Sequence, residues 1–176
     1  DFGFFPTPPN VARQAADLAM IGDGMMVLEP SAGRGALAVA ANSAATGVIV
    51  DMHELLPDNH KALIELKLPL SGVSEPGDFL QVEPKPIYDR VLMNPPFDKK
   101  RSDIHHVVHA LKFLKPGGRL VAIMPSGVTF RDDALTRDFR GIVEQRGGSI
   151  ETLPEASFKQ AGTMVNTVLV VIPAAA

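Results

Sequence analysis

Short β-branched or apolar runs alternate with helix-forming segments along this chain, and the alternation constrains the fold more than any other feature. The β-rich runs lie at 25–29, 47–54, 71–80, 88–94 and 119–124, and helical spacing is found at 11–20, 36–45, 55–67, 102–114 and 134–146. Strands that alternate with helices form a parallel sheet with helices on both faces. The last two runs, 149–153 and 167–172, have no helix between them and should pair antiparallel. We therefore predict a doubly wound α/β fold with a mostly parallel, seven-stranded sheet and a C-terminal antiparallel hairpin.

Turn residues set the expected ends of several helices. Either Asn10 or the preceding proline pair can start the first helix, and Ser102 can cap the fourth. The sequence "KPGG" at 115–118 is expected to stop that fourth helix after an apolar stripe that reaches Leu114.

Composition narrows the class of protein. A length of 176 residues suits a single domain over 1–176, and no apolar run approaches the roughly 18 to 20 residues of a membrane span. The chain has no cysteine, which excludes disulfides and thiolate metal sites and suits the cytoplasm. The missing initiator Met and the ending "PAAA" suggest a fragment that lacks its flanks.

The sequence "LEPSAGRGAL" places two glycines between the first strand and its helix. Gly33 and Gly35 permit a tight turn and let backbone N–H groups approach a ligand at the helix N-terminus. A plain strand-to-helix turn would use the same glycines. The loop lacks the third glycine of the dinucleotide pattern and the Gly-Lys-Ser/Thr ending of the phosphate loop, so a nucleotide-like ligand without phosphates is the better prediction.

Two acidic positions in the second β-rich run lie at about the distance from the glycine loop that is expected for a ribose ligand. Glu54 is favoured because it ends the β-rich run just before the next helix, and Asp51 is the alternative. In "GDFL", Asp78 can accept from an exocyclic adenine amino group while Phe79 or Leu80 supplies an apolar wall. A turn with a core aromatic would give the same letters.

The sequence "VLMNPPFDKK" ends the fourth strand with an amide, two prolines and an aromatic ring. Asn94, held by Pro95 and Pro96, can direct its side-chain carbonyl and the next backbone carbonyl at one planar amino group. Phe97 can stack on the ring that carries that group. Hydrogen bonds to both amino protons would draw the nitrogen toward sp3 geometry and expose a lone pair, so the motif indicates an alkyl acceptor site.

Together, "FFPTPPN", "LEPSAGRGAL", the acid after the second strand, "GDFL" and "NPPF" resemble the class I, Rossmann-like S-adenosylmethionine-dependent methyltransferases. Within these, the chain is similar to the N6-adenine DNA methyltransferases with the gamma motif order. The resemblance implies transfer of a methyl group to N6 of adenine in DNA after the base is flipped out of the stack.

The resemblance also implies roles for individual residues. Phe5, Thr7 and Pro8 would line the methionine end of the cofactor, as Glu29, Ala32, Gly33 and Gly35 would wrap its carboxypropyl part. Glu54 would bind the ribose, and Asp78 and Phe79 the adenine. Asn94, Pro95 and Phe97 would hold the acceptor.

Other acceptors and partners stay open. The same motif serves RNA bases (guanine N2, adenine N6) and protein glutamine, although Phe97 in place of Tyr favours a base, and a catalytically inactive cofactor-binding module is a further alternative. No target-recognition region is visible, so a missing flank or a recognition subunit is expected. The run 98–101, "DKKR", can contact phosphates or form a solvated loop. The histidines near Asp103 are expected to share a helix and not to bind metal; they are His105, His106 and His109.

Overall fold

The computed structural model describes residues 6–153 and 166–175, which form alternating strands and helices. The helices are α1 (Pro9–Ala19), α2 (Ala36–Ser43), α3 (Pro57–Leu66), α4 (Ser102–Leu111) and α5 (Ala134–Gln145). The strands are β1 (Met26–Glu29), β2 (Ile49–Met52), β3 (Gly72–Val73), β4 (Tyr88–Met93), β5 (Leu114–Pro125), β6 (Ser149–Thr152) and β7 (Thr167–Pro173). Phe5 and the segment 154–165 lie outside the described residues. The longest described helix has 12 residues, too few to cross a bilayer.

The seven strands form one sheet in the order β3-β2-β1-β4-β5-β7-β6. Strands β1 to β5 run parallel, and β7 lies antiparallel between β5 and β6. This confirms the predicted α/β fold with a seven-stranded, mostly parallel sheet and an antiparallel C-terminal pair. The strand order reverses between β1 and β4, and ligands of doubly wound sheets bind at the carboxyl ends of strands at such a switch point.

Helices cover both faces of the sheet, each over its own apolar core. One core joins α1, α2 and α3 to one side of the strands, with Val27, Val50 and Ile123 among its fully buried members. The other core joins α4 and α5 to the opposite side, around Val91 and Phe139. Alternate residues of each buried strand therefore enter different cores, which is why these strands read as continuous apolar runs.

The segment 115–118 corrects a sequence-based boundary. Helix α4 ends at Leu111, and Leu114, expected on its apolar stripe, instead starts β5. The ammonium of Lys115 lies 2.7 Å from the Asp89 carboxylate on β4, and Gly117 adopts a φ of 81°. The sequence "KPGG" predicts the end of a helix. In the structure it belongs to β5, with an ion pair to β4 and one glycine in the left-handed region.

Candidate functional site

The carboxyl ends of β1, β2 and β4 enclose two cavities that share Ser31 and Asn94. The first, the glycine-loop cavity, has a volume of about 690 Å³ and is lined among others by Thr7, Glu29, Ala32, Gly33 and Gly35. The second, the Glu54 cavity, has a volume of about 310 Å³ and is lined among others by Glu54, Leu55, Asp78, Phe79, Pro96 and His106. Most of the predicted cofactor residues therefore meet at one crevice.

The glycine loop has the backbone conformation that its sequence requires. Gly33 and Gly35 have φ values of 56° and 99°, and Gly35 precedes the first residue of α2. A Cβ at Gly35 would overlap the side chain of Leu66 at the end of α3. The Ala32 N–H donates to the His53 carbonyl at 2.9 Å, which ties the loop to the end of β2. Glycine at position 35 thus satisfies both a left-handed turn and a close approach between helices.

Two buried carboxyl groups lie in this crevice. Glu29 is 1% exposed and Glu54 is 7% exposed. Burial raises the pKa of Glu29 well above its ordinary value, and the charge of Glu54 adds to the shift. Burial also raises the pKa of Glu54, although hydrogen bonds from Asn59 and from backbone N–H groups lower it. The site therefore favours ligands that donate hydrogen bonds or carry positive charge.

Glu54 and Asp51, the two candidates for the ribose ligand, have different surroundings. The Oε2 atom of Glu54 is buried and has no hydrogen-bond partner among the described residues. A buried oxygen without a donor is costly, and a ribose hydroxyl would supply the donor. Asp51 lines neither cavity, and its Oδ2 accepts the Tyr88 hydroxyl proton at 2.6 Å. The geometry favours Glu54.

Asp78 and Phe79 follow β3 and differ in their exposure to solvent. Asp78 is exposed, and its Oδ1 accepts from the Leu80 N–H at 2.9 Å. Phe79 is 3% exposed, with its ring centroid 5.0 Å from those of Phe113 and His109. Phe79 is therefore mainly a core aromatic, as a plain turn would have it, and it also lines the Glu54 cavity, as a cofactor site would require.

Asn94 lies directly after β4, and its side chain is anchored by the N-terminal segment. The Asn94 amide nitrogen donates to the Thr7 hydroxyl at 2.8 Å, and the Asn94 backbone carbonyl accepts from the Ser31 hydroxyl at 3.4 Å. Pro8, whose ring is buried, precedes α1, and Pro95 is buried behind the loop. The contact between Thr7 and Asn94 spans 87 positions, and no short-range pattern could reveal it.

The loop after Phe97 is mostly structural. Ser102 is the first residue of α4 and not its cap, because Arg101 occupies the N-cap position. The Asp98 carboxylate accepts from the backbone N–H and the hydroxyl of Ser102, at 3.0 and 2.5 Å. Arg101 has a φ of 61° and donates two hydrogen bonds, of 2.6 and 2.8 Å, to the Asp133 carboxylate. Phe97 and Lys99 line a third cavity, of about 470 Å³, which also reaches the segment after β5. We call it the Phe97 cavity.

Two of the three histidines of α4, His106 and His109, contact backbone carbonyls, and His105 is exposed. His106 contacts the Ser102 carbonyl at 2.7 Å and His109 the Val82 carbonyl at 2.8 Å. Within the described ranges, no group of three or more metal-ligating side chains comes together. His106 nevertheless lines the Glu54 cavity, although no sequence motif assigned it there. Its position on the face of α4 that contacts Phe79 was the only sequence feature that could have indicated this.

No protein-family model and no curated protein sequence matches the chain. Solved structures match its architecture. The M protein of the type I restriction enzyme EcoKI is similar over 100% of this chain, with a TM-score of 0.79 and 18% identity. A protein from Listeria monocytogenes described as a class I S-adenosylmethionine-dependent methyltransferase is similar over 96%, with a TM-score of 0.72 and 13% identity. A protein from Pyrococcus horikoshii described as an RNA methyltransferase is similar over 98%, with a TM-score of 0.69 and 21% identity.

The chain shares its fold with these three solved proteins, two of which are described as methyltransferases. The chain spans 45% of the EcoKI M protein, 59% of the Listeria protein and 86% of the Pyrococcus protein. Sequence identities of 13–21% show a shared fold and do not identify the acceptor of the methyl group.

Proposed function

We propose that this protein transfers a methyl group from S-adenosylmethionine to the exocyclic amino group of a nucleobase, with N6 of adenine in DNA as the acceptor. The observation that carries the proposal is the position of Asn94. It ends the strand at the switch point, it lines both the glycine-loop cavity and the Glu54 cavity, and Thr7 fixes its amide nitrogen.

The two cavities suit the two ends of the cofactor. Glu54, whose Oε2 is buried without a donor, would bind the ribose hydroxyls, and Asp78 and Phe79 would hold the adenine in the Glu54 cavity. Glu29 and the backbone at Gly33 would hold the methionine part in the glycine-loop cavity. When bound, S-adenosylmethionine supplies an electrophilic methyl group on a sulfonium.

Asn94 and Pro95 would prepare the acceptor nitrogen. The hydrogen bond to Thr7 takes the amide nitrogen, which assigns the carbonyl oxygen of Asn94 to the accepting role. That oxygen and the Pro95 carbonyl would accept the two protons of a planar NH2 group. The nitrogen lone pair would then be directed at the methyl group that the bound cofactor supplies, the thioether would depart with the carbon–sulfur electron pair, and the displaced N–H proton would be released to solvent. Acceptors placed where charge develops stabilise the transition state.

A nucleobase in DNA is the acceptor we favour. Phe97 beside Asn94 would stack on the ring that carries the amino group, and an aromatic ring there serves a base better than an amide side chain. The fold similarity to the EcoKI M protein supports DNA. The fold similarity to the Pyrococcus RNA methyltransferase makes an RNA base the second candidate. Because this chain spans 45% of the M protein, we expect sequence recognition to come from further segments or a recognition subunit.

The acceptor class can be tested directly. The protein is incubated with S-adenosylmethionine labelled on its methyl group and, separately, with unmethylated DNA, RNA or a cell protein extract. We expect label in DNA, and label that enters only protein or only RNA would refute the choice of DNA. An Asn94→Ala protein that binds cofactor serves as the control, since it should transfer label about 100- to 1000-fold more slowly.

A further inference from the structure

Phe130 exposes a large apolar ring at the substrate end of the molecule. Its side chain is 70% exposed and follows the carboxyl end of β5, next to the strand that carries Asn94. The backbone there is ordered, because the Phe130 and Arg131 N–H groups both donate to the Gly127 carbonyl, at 3.2 and 2.9 Å. A single exposed apolar side chain is ordinary on a protein surface, so the ring points to a binding contact only together with the charged groups beside it.

Cationic side chains lie beside this ring. Lys99 and Arg131 line the Phe97 cavity, and Arg131 also lines the adjoining cavity that Phe130 borders. The Arg131 side chain packs over Gly127, where a Cβ would meet its Nε at 2.8 Å. Neither Lys99 nor Arg131 has an ion-pair partner within residues 6–153 and 166–175.

The acidic residues of the same region are engaged. Asp98 accepts two hydrogen bonds from Ser102, and Asp133 is paired with Arg101. Asp132 lies 3.7 Å from Arg137. The hydrogen bonds from Ser102 leave the charge of Asp98 in place, so the exposed side chains of this region without an ion pair in the described part of the chain are one carboxylate, Asp98, against three cations: Lys99, Lys100 and Arg131. This excess of positive charge suits a polyanion.

The ion pair between Arg101 and Asp133 also connects the two loops that build this surface. Arg101 belongs to the acceptor loop after β4, and Asp133 follows Phe130 by three positions. Thr136 accepts a further hydrogen bond from Arg101, at 2.5 Å. Phe130 is thus held at a fixed position relative to Phe97 and Asn94.

We propose that Lys99, Phe130 and Arg131 form a contact surface for the nucleic-acid strand that carries the acceptor base. Phe130 stacks on a base next to the acceptor, and Lys99 and Arg131 contact the phosphates on either side. This inference rests on the proposed nucleic-acid acceptor and adds the residues that hold the strand. Stacking accepts any base and cationic contacts accept any phosphate, so the surface contributes affinity without sequence preference.

Binding of fluorescent oligonucleotides tests the proposal, with the protein saturated with S-adenosylhomocysteine. Phe130→Ala should weaken binding of a single-stranded oligonucleotide about tenfold, whereas Phe130→Tyr should bind like wild type. Leu70→Ala is the matched control, because Leu70 is 68% exposed but precedes β3 at the opposite edge of the sheet. It should have no effect. Lys99→Ala and Arg131→Ala should each reduce the salt dependence of duplex binding by a slope of about 0.9, and Lys61→Ala on α3 should not.

The outcomes separate this inference from the proposed function. If wild type methylates DNA and Phe130→Ala binds and methylates DNA like Leu70→Ala, the surface is refuted and the function stands. If label enters only protein while oligonucleotide binding still depends on Phe130, the proposed acceptor is refuted, and with it the claim that this surface holds the acceptor strand. A change of oligomeric state in Phe130→Ala, with oligonucleotide binding intact, would assign the ring to a second copy of the chain and overturn the proposal.

Discussion

The carboxyl edge of the sheet is built in two contrasting ways. At the ends of β1 and β2, Glu29 and Glu54 are buried and have raised pKa values. After β4 and β5, Lys99, Phe130 and Arg131 are exposed. A closed, acidic crevice suits a small ligand that replaces water, and an open, cationic rim suits a large substrate that comes and goes. Asn94 lies between the two regions.

This contrast predicts that substitutions divide by region. Changes at the buried acids should alter cofactor affinity, changes at the rim should alter substrate affinity, and a change at Asn94 should alter the rate of transfer with both affinities intact.

Asn94→Ala should reduce kcat by about 100- to 1000-fold, the usual loss when one group that stabilises the transition state is removed. Cofactor affinity, measured by calorimetry on the same preparation, should stay at the wild-type value. Asn94→Asp keeps an acceptor oxygen and should lose less activity than Asn94→Ala. A large loss of cofactor affinity in Asn94→Ala would break the proposed division between the regions.

Glu54→Gln should weaken cofactor binding by about 10- to 100-fold, because a hydrogen bond to a charged, buried oxygen is lost. Asp51→Asn is the matched control, since Asp51 accepts from Tyr88 outside both cavities, and it should bind cofactor normally. Calorimetry on both variants decides between the two acids. A greater loss in Asp51→Asn would transfer the ribose contact to Asp51.

Gly35→Ala should destabilise the protein by about 1–3 kcal/mol, because Gly35 has a φ of 99° and a new Cβ would overlap Leu66. Gly24→Ala provides the comparison, since Gly24 has a φ of 71° with nothing within 4 Å of the added Cβ. Urea unfolding of both variants isolates the packing contribution. Equal losses would show that the contact with Leu66 is unimportant.

Glu29→Gln should change the pH dependence of stability. Burial, and then the charge of Glu54, raise the pKa of Glu29 in the folded chain above 4.5. Over the pH window above 4.5 the folded chain therefore retains a proton that the unfolded chain has released, so ionisation of Glu29 lowers the free energy of unfolding as pH rises. Glu29→Gln removes this cost. The free energy of unfolding of the variant minus that of wild type should grow from pH 4.5 upward, and a difference that shrinks with pH would contradict the buried acid.

Local patterns were sufficient for much of the fold and for the location of the candidate site. The alternation of strands and helices predicted the sheet, including the antiparallel β6 and β7, because burial on both faces leaves a continuous apolar run in each strand. Asn94 and Glu54 were placed at strand ends by the same reasoning, since the parallel strands of such a sheet share one carboxyl edge.

Contacts between distant segments could not be predicted in this way. The hydrogen bond from Asn94 to Thr7 and the ion pair between Arg101 and Asp133 depend on which loops the topology brings together. Lys115 forms an ion pair with Asp89, and β5 includes "KPGG", although these residues by themselves predict a turn. The residues around each of these side chains do not indicate its partner. The partner is identified only when the folded sheet brings the two segments together.

The chemical identity of the methylated nucleoside shows which atom accepts the methyl group. DNA methylated by the protein with labelled S-adenosylmethionine is digested to nucleosides, which are separated and identified by mass spectrometry. We predict that the label is carried by N6-methyl-2′-deoxyadenosine. Label confined to a methylated ring carbon, or to no nucleoside at all while protein becomes labelled, would contradict transfer to an amino group held by Asn94.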